Sequence, residues 1–394
     1  MIAPLRPEGE DEAMSITLAD ARVVTPGGVH DGWLTIEDGR ITHVGRGTAP
    51  GPGLGLGGRY VVPGFVDIHN HGGAGASFPT GDPGQAHRAA ALHARHGTTT
   101  LVASLVTAPL DHLTRAVSAL ADLCEDGLLA GIHLEGPYIA ASRCGAHDPA
   151  LLREPSPQEL ARLVKAGRGH VRMLTIAAEL PGAPDTIREA VASGVLAALG
   201  HSDADYGQTV AGIEAGARVA THLYNAMPQL GHRAPGPIAA LLEDERVTVE
   251  LVNDGVHVHP AMLRLACRAA GPGRTALVTD AMAAAGAGDG TYDLGALKVD
   301  VTGGVARLVD GDGGLGSIAG STLTMDVAFR RAVRELGLSL PEAAEVTSLT
   351  PARVLGLGDR VGSVAVGKQA DLVVLTDDLE VAGVMRHGTW ITEP

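Results

Sequence analysis

The sequence predicts a (β/α)8 barrel carrying a small β-sandwich domain built from both chain ends. Three observations predict it. Eight short apolar runs alternate with helix-patterned segments between Phe65 and Thr279, the rhythm of a parallel barrel. Strand-like segments lie at both ends of the chain, and pairing them spares each an exposed sheet edge. The length of 394 residues leaves room for a barrel of about 250 residues plus a smaller partner.

Residues 1–13 read as a disordered tail. Ile16 to Val24 is a strand. Trp33–Ile36 and Ile41–Val44 flank Asp38-Gly39, a hairpin signal. Gly51 to Gly58 reads as a glycine-rich loop before a strand at Tyr60-Val61-Val62. The barrel runs are Phe65–Ile68, Thr98–Leu105, Leu129–Leu134, Val171–Ala177, Val195–Leu199, Ala217–Thr221, Val247–Val252 and Thr275–Thr279. Between them, Leu110, Leu113, Val117, Leu120 and Cys124 keep helical spacing. Further helices are expected near 82–96, 156–167, 185–193, 205–215, 236–244 and 260–270. Residues 291–316 read as a short β insertion, followed by helices near 325–336 and 341–356. Val361–Val364, Asp371–Leu375 and Val381–Ile391 return to β. The expected domains are therefore 63–357 for the barrel, and 14–62 with 358–394 for the sandwich.

Composition excludes several classes. Lys+Arg number 30 against 45 Asp+Glu, a net charge of −15. Such a surface has no general attraction for nucleic acid or an anionic membrane, although a local anion site stays open. Three cysteines without a CxxC pair exclude a disulfide scaffold and a thiolate zinc site. The N-terminus lacks the apolar segment of a signal peptide, and no apolar run is long enough to span a bilayer. A cytoplasmic protein is expected. Gly53, Gly55 and Gly58 fit GxGxxG but precede a strand. Gly311, Gly313 and Gly316 fit it too, with a helix following but no second strand bearing a ribose-binding acid. Neither reads as a dinucleotide site.

Barrel enzymes place their chemistry at the C-terminal ends of the strands. After the first run stands His69-Asn70-His71, and alternation puts both imidazoles on one face. After the third, fifth, sixth, seventh and eighth stand His133-Leu134-Glu135, Gly200-His201-Ser202, His222-Leu223-Tyr224-Asn225, Asn253-Asp254-Gly255-Val256-His257 and Asp280. Each alone has an ordinary structural reading. Six metal-capable segments at one rim do not. His, Glu and Asp ligands without thiolate suit Zn²⁺ or a similar divalent ion. Such an ion lowers the pKa of water and polarises a carbonyl, while a carboxylate shuttles the proton. The implied chemistry is metal-assisted hydrolysis of a bond such as an amide. The chain has only Lys165, Lys298 and Lys368. The fourth run ends in Ala177-Ala178-Glu179, so a carboxylated lysine bridging two metals cannot form there. Glu135 is the natural acidic substitute.

These residues resemble the amidohydrolase superfamily. Pro63-Gly64-Phe65-Val66-Asp67-Ile68-His69-Asn70-His71 looks like its opening motif. Leu349–Leu357 and Gly367–Leu375 look like its closing ones. Within it, the chain is similar to the N-acetylglucosamine-6-phosphate deacetylase family. The carrying motifs are His133-Leu134-Glu135-Gly136-Pro137, Gly200-His201-Ser202, Thr221–Met227, Val278–Met282 and Ala319-Gly320-Ser321 with Leu323-Thr324-Met325. The resemblance covers the chain from about residue 15 onward.

It implies hydrolysis of the acetamide of N-acetyl-D-glucosamine 6-phosphate in amino-sugar catabolism or cell-wall recycling. It implies that Glu135, His201 and His222 hold one metal. Asp280 deprotonates the metal-bound water and then protonates the departing amine. His69 and His71, which some members lack, imply a second metal shared through Glu135 and approached by Asp280. One or two ions per subunit are expected, zinc first, with Fe²⁺, Co²⁺ or Mn²⁺ as alternatives. Asn225, Ala226, Arg233 and His257 match phosphate-binding positions, with backbone donors at Asn225-Ala226. His147 matches a histidine contacting sugar or carbonyl on a mobile loop, and Ile318, Ala319 and Gly320 close the sugar side. A homodimer is implied, with a phosphate-contacting residue that can come from the partner subunit. The alternatives are a cyclic-amide hydrolase or deaminase, and a catalytically silent barrel that binds an amino-sugar phosphate. The missing lysine and the Arg233/His257 pair oppose the first, and the complete ligand set opposes the second.

Overall fold

Eight parallel strands form the barrel: β1 (Phe65–Asp67), β2 (Thr98–Leu105), β3 (Gly131–Glu135), β4 (Val171–Ile176), β5 (Leu196–Leu199), β6 (Val219–Ala220), β7 (Thr248–Val252) and β8 (Thr275–Val278). Each pairs with the next in sequence order, and each lies within one of the eight expected runs or overlaps it. The computed structural model describes residues 15–309 and 314–394. The expected tail over 1–13, and Gly311 and Gly313, lie outside the described residues.

Three of the helices between the strands start at a side-chain cap. Asp82, Ser156 and Asp205 accept a backbone N–H from the third helical residue of Pro83–Arg95, Pro157–Ala166 and Tyr206–Ala215. Leu110–Glu125 buries Leu113, Ala116, Val117, Leu120 and Cys124, one face at helical spacing. β1 and β8 meet mainly through a side chain. Asp67 accepts the Thr279 N–H at 3.2 Å and the Thr279 hydroxyl at 2.6 Å. Just beyond the strand ends, Asn70 bridges to Ala281, and Ala281 to Ser321. Closure is therefore tightest at the rim where the candidate site lies.

The two chain ends share a seven-stranded sheet. Ser15–Thr25, Gly28–Glu37, Arg40–Arg46 and Leu54–Pro63 join Leu372–Leu375, Val381–Arg386 and Thr389–Thr392. Its own apolar cluster includes Leu18, Leu34, Ile41, Val61 and Leu372. Three details depart from the sequence expectation. The glycine-rich stretch is half strand: Leu54 pairs with Leu18, and Gly57 and Gly58, at φ 62° and 74°, sit where the register shifts, as glycines at a bulge do. Val361–Val364 form no strand; Val361 packs into the barrel core and Val364 into the sheet core, so burial rather than pairing explains their apolarity. The last segment is a hairpin rather than one run, turning at His387-Gly388.

The expected insertion is a four-stranded antiparallel sheet: Gly290–Leu294, Leu297–Thr302, Val305–Val309 and Leu315–Ile318. No helix among the described residues is long and apolar enough to cross a membrane.

Candidate active site

Three of the expected residues sit just past their strands in left-handed backbone: His201 at φ 47°, His222 at 27° and Asp280 at 49°. A non-glycine residue there costs on the order of 1–3 kcal/mol, which surrounding structure must hold in place. The neighbours do so. Asp280 donates its N–H to the His69 carbonyl at 2.9 Å and accepts the Ser321 N–H at 2.7 Å. A Cβ on Gly200 would stand 2.6 Å from Cβ of Thr221, so only glycine lets β5 and β6 deliver His201 and His222 side by side.

The side chains converge in two groups around Glu135. Ligand atoms of His69, His71 and Asp280 all lie within 4.8 Å of one another, as do those of Glu135, His147 and His201. His222 Nε2 completes the second group, 3.0 Å from Glu135 Oε1 and 2.9 Å from His201 Nε2. Glu135 spans both. Its Oε1 is 3.4 Å from His69 and its Oε2 3.2 Å from His71.

Hydrogen bonding to the outer nitrogens fits a metal. His71 Nδ1 faces the Ser104 carbonyl at 3.2 Å, His201 Nδ1 the Arg143 carbonyl at 2.8 Å, and His69 Nδ1 the Glu250 carboxylate at 3.1 Å. These oxygens only accept, so each Nδ1 carries a proton, and each ring that has no second proton turns an Nε2 lone pair inward. His69 and His71 then oppose lone pairs at 3.1 Å, an arrangement that asks for a cation. Without an ion, protons serve instead. Burial lowers the His71 pKa, but hydrogen bonds to Asp280 and Glu135 lift it to about 9. Burial likewise opposes ionisation of Asp280, yet His71 and His69 bring it down to about 2. The donor set fits a divalent ion in both groups, and the residues are positioned to hold it.

His147 differs chemically from its neighbours. Its Nδ1 accepts the Thr107 backbone N–H at 3.2 Å, so the ring proton sits on Nε2, which points at Glu135 Oε2 from 3.4 Å. Burial is the main cause that brings its pKa down to about 4. A neutral N–H donor aimed into the site suits a carbonyl contact better than metal ligation.

A cavity of about 460 Å³ opens over these groups, within the range of small-ligand sites. His71, Glu135, His147, His201, His222, Asn225, Ala226, His257, Asp280, Ile318 and Gly320 line it. His69 is fully buried beneath. Ala319 is buried too, its N–H donated to Ala306. Arg233 does not line the cavity. It sits exposed on the loop between Met227 and Gly236. The expected donor pair also narrows: the Asn225 N–H is already given to the His222 carbonyl at 3.0 Å. His257 lies against Asp254, Nδ1 to Oδ2 2.6 Å. Burial lowers its pKa, but Asp254 raises it more and favours the cation.

Sequence reasoning missed several participants. Arg143 and Arg307 line the cavity; Arg143 is paired with Asp203 at 2.8 Å. His133, quoted only within a motif, is buried between Ser104 and Thr175 hydroxyls at 2.9 and 2.8 Å. Glu250 was passed over inside an apolar run. Its signal was legible, because a charged residue in a buried strand needs partners.

The family model described as the amidohydrolase family matches residues 60–391. The N-acetylgalactosamine-6-phosphate deacetylase of Escherichia coli O157:H7 is 39% identical over 332 residues, 83% of this chain and 86% of that one. The N-acetylglucosamine-6-phosphate deacetylase of Bacillus subtilis is 33% identical over 387 residues, covering 94% and 95%. The solved N-acetyl-D-glucosamine-6-phosphate deacetylase of Mycobacterium smegmatis, a point variant in complex with N-acetyl-D-glucosamine-6-phosphate, superposes with a TM-score of 0.92 at 49% identity, covering 96% of this chain and 99% of that one. On the match along the barrel and the end-to-end likeness to these relatives, the chain belongs to the amidohydrolase family and groups within it with the N-acetylglucosamine-6-phosphate deacetylases.

Proposed function

We propose that the protein hydrolyses the acetamide of N-acetyl-D-glucosamine 6-phosphate to D-glucosamine 6-phosphate and acetate, within amino-sugar catabolism or cell-wall recycling. The observation that carries this reading is the shared Glu135, with inward-facing imidazoles on both sides and Asp280 at the cavity wall. In this reading Glu135, His201 and His222 hold one divalent ion, zinc first. His69, His71 and Asp280 approach a second. The chemistry such an ion supplies when held there is a lowered pKa for water and a polarised amide carbonyl.

The chain's own residues do the rest. Asp280 is ionised at neutral pH, so it starts as the base. It takes a proton from the attacking water and returns it to the departing amine nitrogen. His147 Nε2–H donates to the amide oxygen as negative charge grows there. His257, whose cation Asp254 favours, and the Ala226 N–H, which makes no bond within the described residues, receive the phosphate. Arg233 joins them from the partner subunit of a homodimer, since its own chain's cavity does not include it. We assign this chemistry to residues 63–357, with 14–62 and 358–394 as the second domain, in a cytoplasmic enzyme.

The test is acetate release by chelated protein reconstituted with zinc and then with other divalent ions. Unphosphorylated N-acetylglucosamine and the galactosamine epimer run alongside. The epimer is the second reading, favoured by the 39% identical relative that bears its name. Turnover restored by metal and dependent on phosphate is the expected result. Silence with every ion and every sugar phosphate would overturn the assignment. Arg233→Ala is expected to raise KM for the phosphorylated sugar by about 10-fold or more, the loss of a charge-assisted contact, and to leave the unphosphorylated sugar unchanged. Equal effects on both would remove Arg233 from phosphate binding.

A further inference from the structure

We infer that Glu250 is the positioning residue that ties the two metal-ligand groups together from beneath. The assignment rests on the metal part of the function proposed above, and on nothing about the substrate.

β7 reads Thr248-Val249-Glu250-Leu251-Val252, and Glu250 is fully buried in it. A carboxylate in such a strand carries a desolvation cost of several kcal/mol unless it is partnered. One of its oxygens, Oε2, has two partners. It lies 3.1 Å from His69 Nδ1 and accepts the His222 backbone N–H at 3.2 Å. The two partners belong to different groups: His69 stands with His71 and Asp280, and His222 with Glu135 and His201. The Glu250 carbonyl adds a third tie, accepting the Leu223 N–H at 2.8 Å. Glu250 thus fixes the ring of one group and the backbone of the other.

The consequences differ for the two histidines. At His69, a carboxylate on Nδ1–H sets the tautomer, aims Nε2 inward and makes the imidazole a better donor to a cation. At His222, the tie holds a left-handed residue, φ 27°, in a conformation that brings its ring to Glu135. Two more atoms point the same way. Glu250 Oε1 and His222 Nδ1 are both buried without a partner among the described residues. Pairing them, directly or through a water, would give His222 the same protonated Nδ1 and free Nε2 as its neighbours. Glu250 does not line the cavity, so its influence on chemistry runs through the ligands alone.

Glu250→Gln keeps the shape and removes the charge. Outer carboxylates on metal-binding histidines typically contribute 10–100-fold in affinity. Wild type and variant are stripped, then titrated with zinc against a chromophoric chelator, and bound ions are counted. Spectra of the cobalt-loaded proteins and melting temperatures of the stripped ones are recorded in parallel. The expected result is zinc binding about 10–100-fold weaker in the variant, an altered cobalt spectrum, and a loss in kcat that excess zinc recovers at unchanged KM. A lower melting temperature with wild-type zinc affinity, stoichiometry and cobalt spectrum would reduce Glu250 to a core residue and overturn the assignment. Should the variant not fold, Glu250→Asp is read by the same titration and the same two outcomes. Wild-type protein that binds no ion would instead remove the metal-dependent reading, and this assignment with it.

Discussion

Asp280→Asn is expected to lower kcat by about 10²–10⁴-fold, the usual worth of a positioned acid–base group. Ions held by Glu135, His201 and His222 should stay in place. The reasoning is geometric. The backbone of residue 280 is tied on both sides, to His69 and to Ser321, so an isosteric amide keeps its position. Oδ1 lies 3.3 Å from His71 Nε2 and 3.6 Å from His69 Nε2, and an amide oxygen can still occupy that place. What the amide cannot do is take a proton from water and hand it to nitrogen. In the proposed reaction both halves lose the same group, so kcat is expected to fall while KM changes little. Steady-state kinetics beside metal analysis checks this. A variant within about 10-fold of wild type would remove Asp280 from proton transfer.

The barrel was legible because both faces of its strands are buried. A strand such as Thr98–Leu105, buried at every position, reads as one apolar run with turn signals at its ends. The convergence of the candidate site was legible for a related reason. Polar residues that interrupt such runs at one end have nowhere to go but the rim. Legibility fails where meaning depends on a partner distant in sequence. Leu54 is a strand because Leu18 lies beside it, and no local pattern says so. Val361 and Val364 look like a strand but serve two separate cores. Glu250 announces that it needs partners without naming His69 and His222. Arg233 carries the right chemistry at a position matching a motif, but where it points is set by a loop path, and in the proposed dimer by a second chain.

Glu135→Ala separates the metal site from the base more sharply than any other single change. Glu135 ends β3, and its two oxygens serve five imidazoles: His222 at 3.0 Å, His201 at 3.2 Å and His69 at 3.4 Å on one, His71 at 3.2 Å and His147 at 3.4 Å on the other. Burial works against its ionisation, but the surrounding histidines hold its pKa well below the ordinary carboxylate range. Without it, no carboxylate faces His201 and His222 within salt-bridge distance among the described residues, and the His69 group keeps only Asp280 and the outer Glu250. Both groups should therefore lose their ions, not one. The expected loss in kcat/KM is about 10³-fold or more, equivalent to ~4 kcal/mol of transition-state charge stabilisation, and excess zinc should fail to restore it. That failure distinguishes a missing ligand from a missing support such as Glu250, where excess zinc is expected to succeed, and from Asp280→Asn, where the metal never leaves the Glu135 group. Metal analysis with rate measurements across a zinc series reads all three. Full metal content and turnover within about 10-fold of wild type would mean that the two histidine groups hold their ions independently, and Glu135 would cease to be the residue on which the site is built.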